Sequence, residues 1–382
     1  MKQINNLPAL GFGAMRLPDN YDKSEQLVLY AIENGVDYFD TAYIYPGKEV
    51  LLGKILHNNN IREKVKIATK LPLILTKNTG DFDKFFDKQL NRLKTNYIDY
   101  YMLHMLNNPD EFQALLDMGL LQWVENKRKS GAIRNFGFSF HGTRENFIKL
   151  INMHEWDFTM IQYNYLDVNT QAGLTGLQYA HSKNIPVIIM EPLRGGLLAN
   201  PKQIPKKALE LLQPSPVEWA LKWLWNHKEV SCVLSGMRNM SDLQSNITLA
   251  DTSFPDCMSE QELSIIEQVT SVFAESHSIP CTGCNYCIPH CPVNVNIADC
   301  FMAFNAKSYS MYVQSNGMLT SKAGSASCCI GCGKCEPYCP QSIPIKDSLK
   351  IVSRKMEPWW FRLAMPIIRC FTGRKHSKEQ IK

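Results

Sequence analysis

Short apolar segments alternate with longer amphipathic segments along the first two thirds of this chain. The short segments are rich in Val, Ile, Tyr and Phe, which is typical of buried strands. In the longer segments apolar residues recur every three or four positions, as on one face of a helix. The pattern predicts eight strands, at residues 11–17, 37–41, 65–71, 98–103, 133–140, 158–163, 185–190 and 230–234. It predicts helices that include residues 24–34, 81–93, 110–129, 176–183 and 216–227.

Eight strands that alternate with helices match the size and rhythm of a (β/α)8 barrel, which typically takes about 250 residues. The competing fold is a doubly wound open sheet, which carries a G-x-G-x-x-G turn after its first strand. The corresponding segment, Gly11-Phe12-Gly13, lacks the third glycine and the helix that should follow. The sequence therefore predicts an α/β fold of the (β/α)8 TIM barrel type.

Four polar residues fall at or just past the ends of the second, third and fourth predicted strands: Asp40, Tyr45, Lys70 and His104. Active sites of such barrels lie at the carboxyl ends of the strands, so these residues are catalytic candidates. Each of three has a structural alternative: Asp40 as a turn cap, Tyr45 as a half-buried surface aromatic, and His104 as a core histidine. Lys70 is harder to explain structurally, because burying an ammonium without a partner is costly.

A different pattern follows the predicted barrel, where the spacing C-x2-C-x2-C-x3-C-P occurs twice. The first run is Cys281, Cys284, Cys287 and Cys291, and the second is Cys329, Cys332, Cys335 and Cys339. This is the ligand spacing of bacterial ferredoxins with two 4Fe–4S clusters, in which the fourth cysteine of each run binds the other cluster. The pattern therefore predicts a small ferredoxin-like dicluster domain in which Cys339 joins the first three cysteines of the first run, and Cys291 those of the second.

Zinc sites and disulfides are the alternatives for these cysteines. Zinc sites use two CxxC pairs separated by a loop, and disulfides need an oxidising compartment. The first residues, MKQINN, contain no apolar signal-peptide core, so we expect a cytoplasmic protein. Residues 281–344 contain few large apolar side chains, so we expect cluster binding to stabilise this segment.

Composition argues against nucleic-acid binding and against a membrane span, and the sequence also suggests domain boundaries. The chain has 382 residues and a formal net charge of +5, which gives no support for nucleic-acid binding. It contains no apolar run of the roughly 18–20 residues that a membrane span needs. We predict a barrel at residues 1–258, a helical linker and dicluster domain at 259–350, and a tail at 351–382. The apolar, basic-flanked residues 359–371 are expected to pack back onto the protein or, alternatively, to contact a membrane surface or a partner.

Three segments resemble the signatures of the aldo-keto reductase superfamily: FDTAYIY at residues 39–45, ATKL at 68–71 and DYYMLH at 99–104. Later segments fit as well, namely GFS at 137–139, IQYN at 161–164, EPLRGG at 191–196 and SGMR at 235–238. The whole chain resembles the subgroup that carries a C-terminal dicluster domain. This resemblance implies reduction of an aldehyde or ketone by NAD(P)H, with Asp40, Tyr45, Lys70 and His104 as the catalytic tetrad.

In that tetrad, Tyr45 supplies the proton. A tyrosine is a weak acid at neutral pH, and a nearby cation such as Lys70 strengthens it. Asp40 holds Lys70, and His104 orients the carbonyl. The resemblance also implies cofactor contacts: Ser139 and Gln162 with the nicotinamide carboxamide, Leu193 and Gly195 along the pyrophosphate, and Ser235, Gly236, Arg238 and Asn246 with the adenosine end.

Three positions depart from the family pattern. Phe140 stands where an asparagine often follows the serine, and Met190 stands where an aromatic residue usually stacks on the nicotinamide. Asp242 stands where many relatives carry an arginine for the 2′-phosphate, although Arg238 and Arg194 are alternative phosphate partners. NADH therefore remains an alternative to NADPH.

The purpose of the clusters stays open at this point. A nicotinamide donates two electrons as hydride and a cluster passes one, and the sequence shows no flavin motif to mediate between them. The clusters are thus expected to serve a ferredoxin or other electron-transfer partner, to sense redox state, or to stabilise the fold. An alternative function is an electron-transfer module that shuttles electrons to or from a ferredoxin-like partner, with the barrel as scaffold.

Overall fold

The computed structural model describes residues 3–4, 6–276, 279–305, 308–309, 312–313 and 324–361, and all structural statements refer to these. Eight parallel strands form a closed barrel, which confirms the predicted (β/α)8 TIM barrel. In chain order they are β1 (Leu10–Gly13), β2 (Tyr38–Asp40), β3 (Lys66–Leu71), β4 (Ile98–Leu103), β5 (Ile133–Phe140), β6 (Phe158–Gln162), β7 (Val187–Met190) and β8 (Val230–Ser235). Strand β8 closes the barrel by pairing with β1, in the register Val233 with Leu10. A hairpin of two-residue strands, Gln3–Ile4 and Leu7–Pro8, precedes β1.

The helices between and after the strands form the outer layer and the C-terminal part of the chain. They are α1 (Tyr21–Glu33), α2 (Lys48–Asn58), α3 (Gly80–Leu93), α4 (Pro109–Asp117), α5 (Leu120–Lys129), α6 (Arg144–Met153), α7 (Gly173–Ser182), α8 (Lys206–Leu211), α9 (Pro216–Trp225), α10 (Met240–Thr252), α11 (Glu260–Ser276), α12 (Ile297–Asn305) and α13 (Ile345–Met356).

Strand alternation positions the site. Successive side chains of a strand point to opposite faces, so residues two apart share a face. Tyr38, Ala68, Met102 and Met160 belong to one buried cluster inside the barrel. The residues two positions further along the same strands are Asp40, Lys70, His104 and Gln162. The inward face of these four strands therefore changes from apolar to polar at the carboxyl end.

Two predicted elements are corrected by the structure. The predicted strand at residues 11–17 ends at Gly13, where the chain turns into a 3-10 segment, Ala14–Arg16. The predicted helix at 110–129 is two helices, α4 and α5, because Gly119 adopts a left-handed conformation with φ of 82° between them. Glycine reaches this conformation without a steric penalty and commonly ends helices. Helix α2 was not among the predicted helices.

The chain divides into two compact units, Met1–Leu193 with Val217–Leu263, and Arg194–Pro216 with Ser264–Lys382. The first unit contains the barrel. The second takes in a segment that precedes β8 in sequence, and it contains all eight cysteines of the two runs. The domain boundaries predicted from the sequence remain a prediction.

The second unit has a buried apolar core of its own. Ile297 and Phe301 of α12 and Leu349 and Val352 of α13 pack in one cluster that also includes Cys287. Residues 281–344 alone contain few large apolar side chains. Helix α13 follows that segment and completes this core. Apolar packing therefore contributes to the fold here in addition to any cluster binding.

In the described part of the chain, no helix is both long and apolar enough to cross a membrane. Trp359 and Trp360, at the start of the apolar segment 359–371 of the predicted tail, are 76% and 49% exposed. The rest of the tail, from residue 362 onward, lies outside the described residues.

Candidate active site and cluster-binding sites

A buried ion pair stands at the carboxyl ends of β2 and β3. Lys70 is 2% exposed, and its Nζ donates to Oδ1 and Oδ2 of Asp40 at 2.8 and 2.7 Å. The same ammonium donates to the carbonyl oxygen of Thr41 at 2.7 Å. Burial raises the pKa of Asp40, while Lys70 acts in the opposite direction. These bonds orient the ammonium and offset part of the free energy that burying it costs.

Tyr45 and His104 lie beside this pair. The Nζ of Lys70 is 5.4 Å from the centroid of the half-buried Tyr45 ring, and the rings of Tyr45 and His104 are perpendicular, with centroids 6.3 Å apart. The His104 pKa is well below its ordinary value, first because the ring is buried and then because of the charges of Lys70 and His141. The structure thus brings together all four residues singled out at the strand ends, with the His104 imidazole and the Lys70 ammonium both near the Tyr45 ring.

A second buried network supports Lys70 from α2 and α3, and sequence reasoning missed it. The Nε2 of Gln89 donates to the carbonyl oxygen of Lys70 at 3.1 Å and to Oε1 of Glu49 at 2.8 Å. Glu49 also accepts from Thr69 and from Arg92. A glutamate and a glutamine on the otherwise apolar faces of two helices are the only sequence signal for this network.

Ser139 and Gln162 lie at the carboxyl ends of β5 and β6 and are both buried. The hydroxyl of Ser139 accepts from the backbone N–H of Met105 at 2.9 Å and donates to the carbonyl oxygen of Leu103 at 3.4 Å. Gln162 accepts from Gln171 at 2.7 Å and donates to Asp167 at 2.9 Å. Both side chains therefore hold neighbouring parts of the barrel mouth in place.

His141 is a buried histidine at this end of the barrel that sequence reasoning did not single out. It follows β5 by one residue, is 7% exposed, and its backbone N–H donates to Oδ1 of Asn107 at 2.9 Å. Burial lowers the pKa of His141 to about 4, while the Gln171 side chain acts in the opposite direction. Its only sequence signal is its position next to Phe140 at the end of a predicted strand.

The eight cysteines form two groups. Cys281, Cys284, Cys287 and Cys339 line one cavity. Cys291, Cys329, Cys332 and Cys335 line a second cavity. Each group contains three cysteines of one run and the fourth cysteine of the other, which is the grouping that the ferredoxin spacing predicts.

The sequence profile of the aldo/keto reductase family matches residues 9–269, about two thirds of the chain. This chain belongs to the aldo/keto reductase family. The profile of a 4Fe–4S dicluster domain matches residues 280–346. Both matches confirm the resemblance noted in the sequence, and membership of this family makes the protein an oxidoreductase. The family implies a nicotinamide cofactor, and the second profile implies 4Fe–4S clusters.

Individual relatives agree with the family assignment. An uncharacterized oxidoreductase of Bacillus subtilis is 26% identical over 302 residues, which cover 69% of this chain and 93% of the relative. The L-galactose dehydrogenase of Arabidopsis thaliana is 26% identical over 294 residues, which cover 68% and 90%. The solved holo form of an aldo-keto reductase from Bacillus halodurans superposes with a TM-score of 0.58 at 24% identity, over 70% of this chain and 95% of that one, and supports the fold.

The residues that the aldo-keto reductase pattern assigns to the adenosine end lie at the end of β8 and on α10. The buried Nδ2 of Asn246 donates to Oγ of Ser235 at 3.0 Å, whereas Gly236 and Arg238 are exposed. Asp242 is in the first turn of α10, where its carboxylate accepts from the Asn239 side chain at 3.0 Å. A carboxylate is favoured at a helix N-terminus, because it interacts well with the helix dipole.

The two residues assigned to the pyrophosphate belong to different compact units, Leu193 to the first and Gly195 to the second. Gly195 has a φ of 67°, and a Cβ at this position would come within 1.5 Å of the carbonyl oxygen of Thr282. Only glycine fits here, because the chain runs directly against the loop that follows Cys281.

The structure shows the surroundings of the three residues that depart from the family pattern. Phe140 is fully buried and faces outward, where its ring lies 5.0 Å from that of Phe147 on α6. Met190 is partly buried and packs against the apolar cluster inside the barrel. Asp242 occupies the helix start described above.

The cysteine cavities fit iron–sulfur clusters in their donor chemistry. Burial raises the pKa of Cys281 to about 12 and that of Cys335 to about 11, and neighbouring thiolates add to both shifts. Four neighbouring thiolates repel one another unless positive charge compensates them, and cluster iron supplies that charge. Thr282 lines the first cavity, and its buried Oγ1 has no hydrogen-bond partner, so it is available as a donor to a cluster sulfur.

Backbone N–H groups near the cysteine sulfurs also favour cluster binding. Val295 donates to Sγ of Cys291 at 3.3 Å, and Gly331 donates to Sγ of Cys329 at 3.4 Å. Such bonds stabilise negative charge on thiolates and tune cluster potentials.

Proposed function

We propose that this aldo-keto reductase reduces an aldehyde or a ketone to an alcohol, with Tyr45 as the proton donor. The observation that carries the proposal is the position of the Lys70 ammonium, which both oxygens of Asp40 hold 5.4 Å from the centre of the Tyr45 ring. A cation at this position stabilises the phenolate that Tyr45 becomes when it gives up its proton.

The other roles follow from charge and burial. Asp40 keeps Lys70 ionised and oriented, and the neutral ring of His104 donates a hydrogen bond to the carbonyl oxygen on which negative charge develops. The bound nicotinamide supplies the hydride. The small-molecule substrate enters at the carboxyl ends of the strands, where barrel active sites lie.

Tyr45→Phe tests this proposal. The change removes the transferable proton and keeps the ring, so we expect kcat for aldehyde reduction to fall by at least about a hundredfold, the usual contribution of a general acid. NAD(P)H binding, measured by calorimetry, is expected to stay within about twofold, since the ring still packs in the same place. The measurement is anaerobic NAD(P)H oxidation with a panel of aldehydes.

Tyr43→Phe is the matched control. Tyr43 is also half-buried in the loop after β2, but its ring packs against Phe85 and the Arg92 guanidinium. Removal of the Tyr43 hydroxyl should leave turnover unchanged. Normal turnover in Tyr45→Phe would overturn the assignment of the proton donor.

For the dinucleotide, we propose that Asp242 decides the choice between NADH and NADPH. A carboxylate repels a 2′-phosphate and accepts from a free 2′-hydroxyl, whereas the exposed Arg238 nearby in sequence favours a phosphate. We expect Asp242→Asn to lower the ratio of kcat/KM for NADH to that for NADPH relative to the wild type; an unchanged ratio would mean that Asp242 does not decide the choice.

We further propose that the two cysteine groups hold two 4Fe–4S clusters, which exchange electrons with a ferredoxin or similar carrier. Support comes from the second group, where Cys332 is exposed and the adjacent Ile330 is 64% exposed. An exposed ligand shortens the tunnelling distance to a docked carrier, and an exposed apolar side chain suits a transient contact. The same exposure favours the second candidate function, an electron-transfer module with the barrel as scaffold. NAD(P)H oxidation that depends on an aldehyde would argue against this second function.

A further inference from the structure

Exposed aromatic side chains are concentrated on one part of the second unit. Trp359, Trp360 and Tyr309 are 76%, 49% and 45% exposed, and the ring centroids of Tyr309 and Trp360 are 6.3 Å apart. In the described part of the chain, Phe254 is the only other Phe, Tyr or Trp that is exposed. Neither the candidate active site nor the cysteine groups use these three side chains, so their exposure needs another explanation.

The packing of neighbouring residues holds these side chains outward. Phe361 follows the two tryptophans in sequence, and it is buried in the apolar core of the second unit. The hydroxyl of Tyr309 donates to the carbonyl oxygen of Lys355, near the end of α13, at 2.9 Å. The chain is therefore fixed on both sides of Trp359 and Trp360, and their rings are left at the surface.

Cations continue this surface along α13. Ile351, Arg354 and Lys355 are exposed and lie three and four positions apart, so they share one face of the helix. Glu357 is the acidic residue nearest to the two cations in sequence, but it is buried and accepts from the hydroxyl of Tyr312. Its carboxylate therefore does not face the solvent beside them. We call this surface the aromatic–basic face, and its residues are Tyr309, Ile351, Arg354, Lys355, Trp359 and Trp360.

The tail that contains most of this face also carries the net charge of the protein. Residues 351–382 include eight of the 41 Lys and Arg but only two of the 36 Asp and Glu. Their net charge of +6 exceeds the +5 of the whole chain, so the rest of the protein is nearly neutral. Within residues 359–371, every residue except Arg362 and Arg369 is apolar. Apolar, aromatic and basic residues without acidic ones are typical of segments that bind the surface of an anionic membrane.

The chemistry of the face favours a lipid surface over a protein partner. Trp and Tyr prefer the headgroup region of a bilayer, because the ring is apolar and its N–H or O–H group stays hydrated. Anionic headgroups attract cations at any lateral position, whereas a protein partner would need a carboxylate opposite each cation. The lack of a membrane-spanning helix in the described residues agrees with contact at the surface alone.

We propose that the aromatic–basic face docks onto an anionic phospholipid surface. Trp359 and Trp360 insert among the headgroups, and Arg354 and Lys355 interact with the lipid phosphates. The face belongs to the same compact unit as both cysteine groups, so docking brings that unit to the membrane. The inference goes beyond the proposed function and does not depend on it, because none of these residues belongs to the candidate active site.

Sedimentation with vesicles tests this inference on the full-length protein, purified anaerobically. We expect the partition coefficient onto phosphatidylcholine vesicles with about 30% phosphatidylglycerol to be at least about tenfold larger than that onto phosphatidylcholine alone. An increase in salt from about 0.1 M to about 0.5 M should remove most of this preference, because it shortens the Debye length.

Two double variants test the two components of the face. Trp359→Ser with Trp360→Ser should lower the partition coefficient onto the anionic vesicles at least about tenfold, because it removes two apolar rings that leave water on docking. Arg354→Gln with Lys355→Gln should lower the same partition coefficient and weaken its dependence on salt.

Each double variant has a matched control. Phe254→Ser removes an exposed aromatic side chain elsewhere in the protein, and Lys206→Gln with Lys207→Gln removes two exposed cations from α8. Both controls should bind the vesicles as the wild type does. Iron content and circular dichroism, measured for all variants, show that each is folded and loaded to the same degree.

Four results would overturn the inference and leave the proposed function intact. The first two are no binding to the anionic vesicles and equal binding to both kinds of vesicle. The third is unchanged binding of the tryptophan variant. The fourth is a dimer in sedimentation velocity without vesicles that the tryptophan variant abolishes, since a second copy of the chain would then occupy the face.

Discussion

At the scale of single residues, burial determines the chemistry of the active site. Lys70, Asp40 and His104 are all at least nine-tenths buried. Burial and the charge of Lys70 both act on the pKa values of Asp40 and His104. A charge in such a site acts strongly on groups nearby, because little solvent screens it. Replacing either partner of the Asp40–Lys70 pair would leave the other as an unpaired buried charge.

His104 gives a prediction about pH. Its lowered pKa means that the folded protein binds the imidazole proton only below the ordinary pH range for histidine, so the ring stays neutral between about pH 6 and 8. We therefore expect kcat for aldehyde reduction to show no fall due to His104 protonation across this interval. His104→Ala should lower kcat about a hundredfold at every pH, since it removes one donor to the developing oxyanion.

The control for this prediction is His104→Gln, which keeps a neutral donor and cannot titrate. Its pH profile should have the same shape as that of the wild type. A fall in wild-type kcat below pH 7 that is absent from His104→Gln would show that the ring titrates in this range.

At the scale of elements, the close approach of α2 and α3 positions the network behind Lys70. Glu49 comes from α2 and Gln89 from α3, and the two helices can come close because α2 carries Gly53. A Cβ at this position would come within 2.4 Å of the carbonyl oxygen of Arg92. The glycine is thus selected by helix packing and not by backbone conformation.

The variant Gly53→Ala tests whether helix propensity or helix–helix packing has the larger effect on stability at this position. Helix propensity alone favours alanine over glycine by about 1 kcal/mol, whereas forced overpacking costs about 1–3 kcal/mol. Because the neighbouring atom is backbone and cannot swing away, we expect packing to prevail and the melting temperature to fall by a few degrees. The measurement is anaerobic thermal unfolding by circular dichroism at one scan rate.

Lys54→Ala, at the exposed neighbouring position on the same helix, should leave the melting temperature almost unchanged. A higher melting temperature for Gly53→Ala would mean that the two helices separate easily at this contact.

At the scale of the whole molecule, the two cysteine runs of the second unit form an internal repeat, each with the helix that follows it. In each run a 3-10 turn spans the three residues before the fourth cysteine, Ile288–His290 in one and Glu336–Tyr338 in the other. A helix begins six residues after that cysteine in both cases, α12 at Ile297 and α13 at Ile345. The rings of His290 and Tyr338, at equivalent positions, stack with centroids 3.3 Å apart.

This arrangement predicts crossed cluster binding. Cys284→Ala with Cys339→Ala removes two ligands from one cavity and should leave about four iron atoms per chain, whereas Cys335→Ala with Cys339→Ala removes a ligand from each cavity and should leave almost none. Iron and acid-labile sulfide, measured after anaerobic purification, give the counts. The reverse order would mean that each run holds its own cluster.

Much of this protein followed from the sequence alone. The alternation of segments predicted the barrel, because strands and helices differ in hydrophobic period and the order of elements leaves few topologies. The four candidate catalytic residues stood at or just past strand ends, and the cysteine spacing predicted the two groups of four. These signals are local, since each can be read within one strand or one short loop.

Only the tertiary structure decided the rest. Glu49 and Gln89 lie 40 residues apart and meet because α2 and α3 pack together. The segment Arg194–Pro216 belongs to the second unit although it precedes β8, and His141 stands out only because its surroundings bury it and leave Nδ1 without a partner. The physical reason is that burial and hydrogen-bond satisfaction depend on residues distant in sequence, whereas periodicity and ligand spacing are properties of a single short segment.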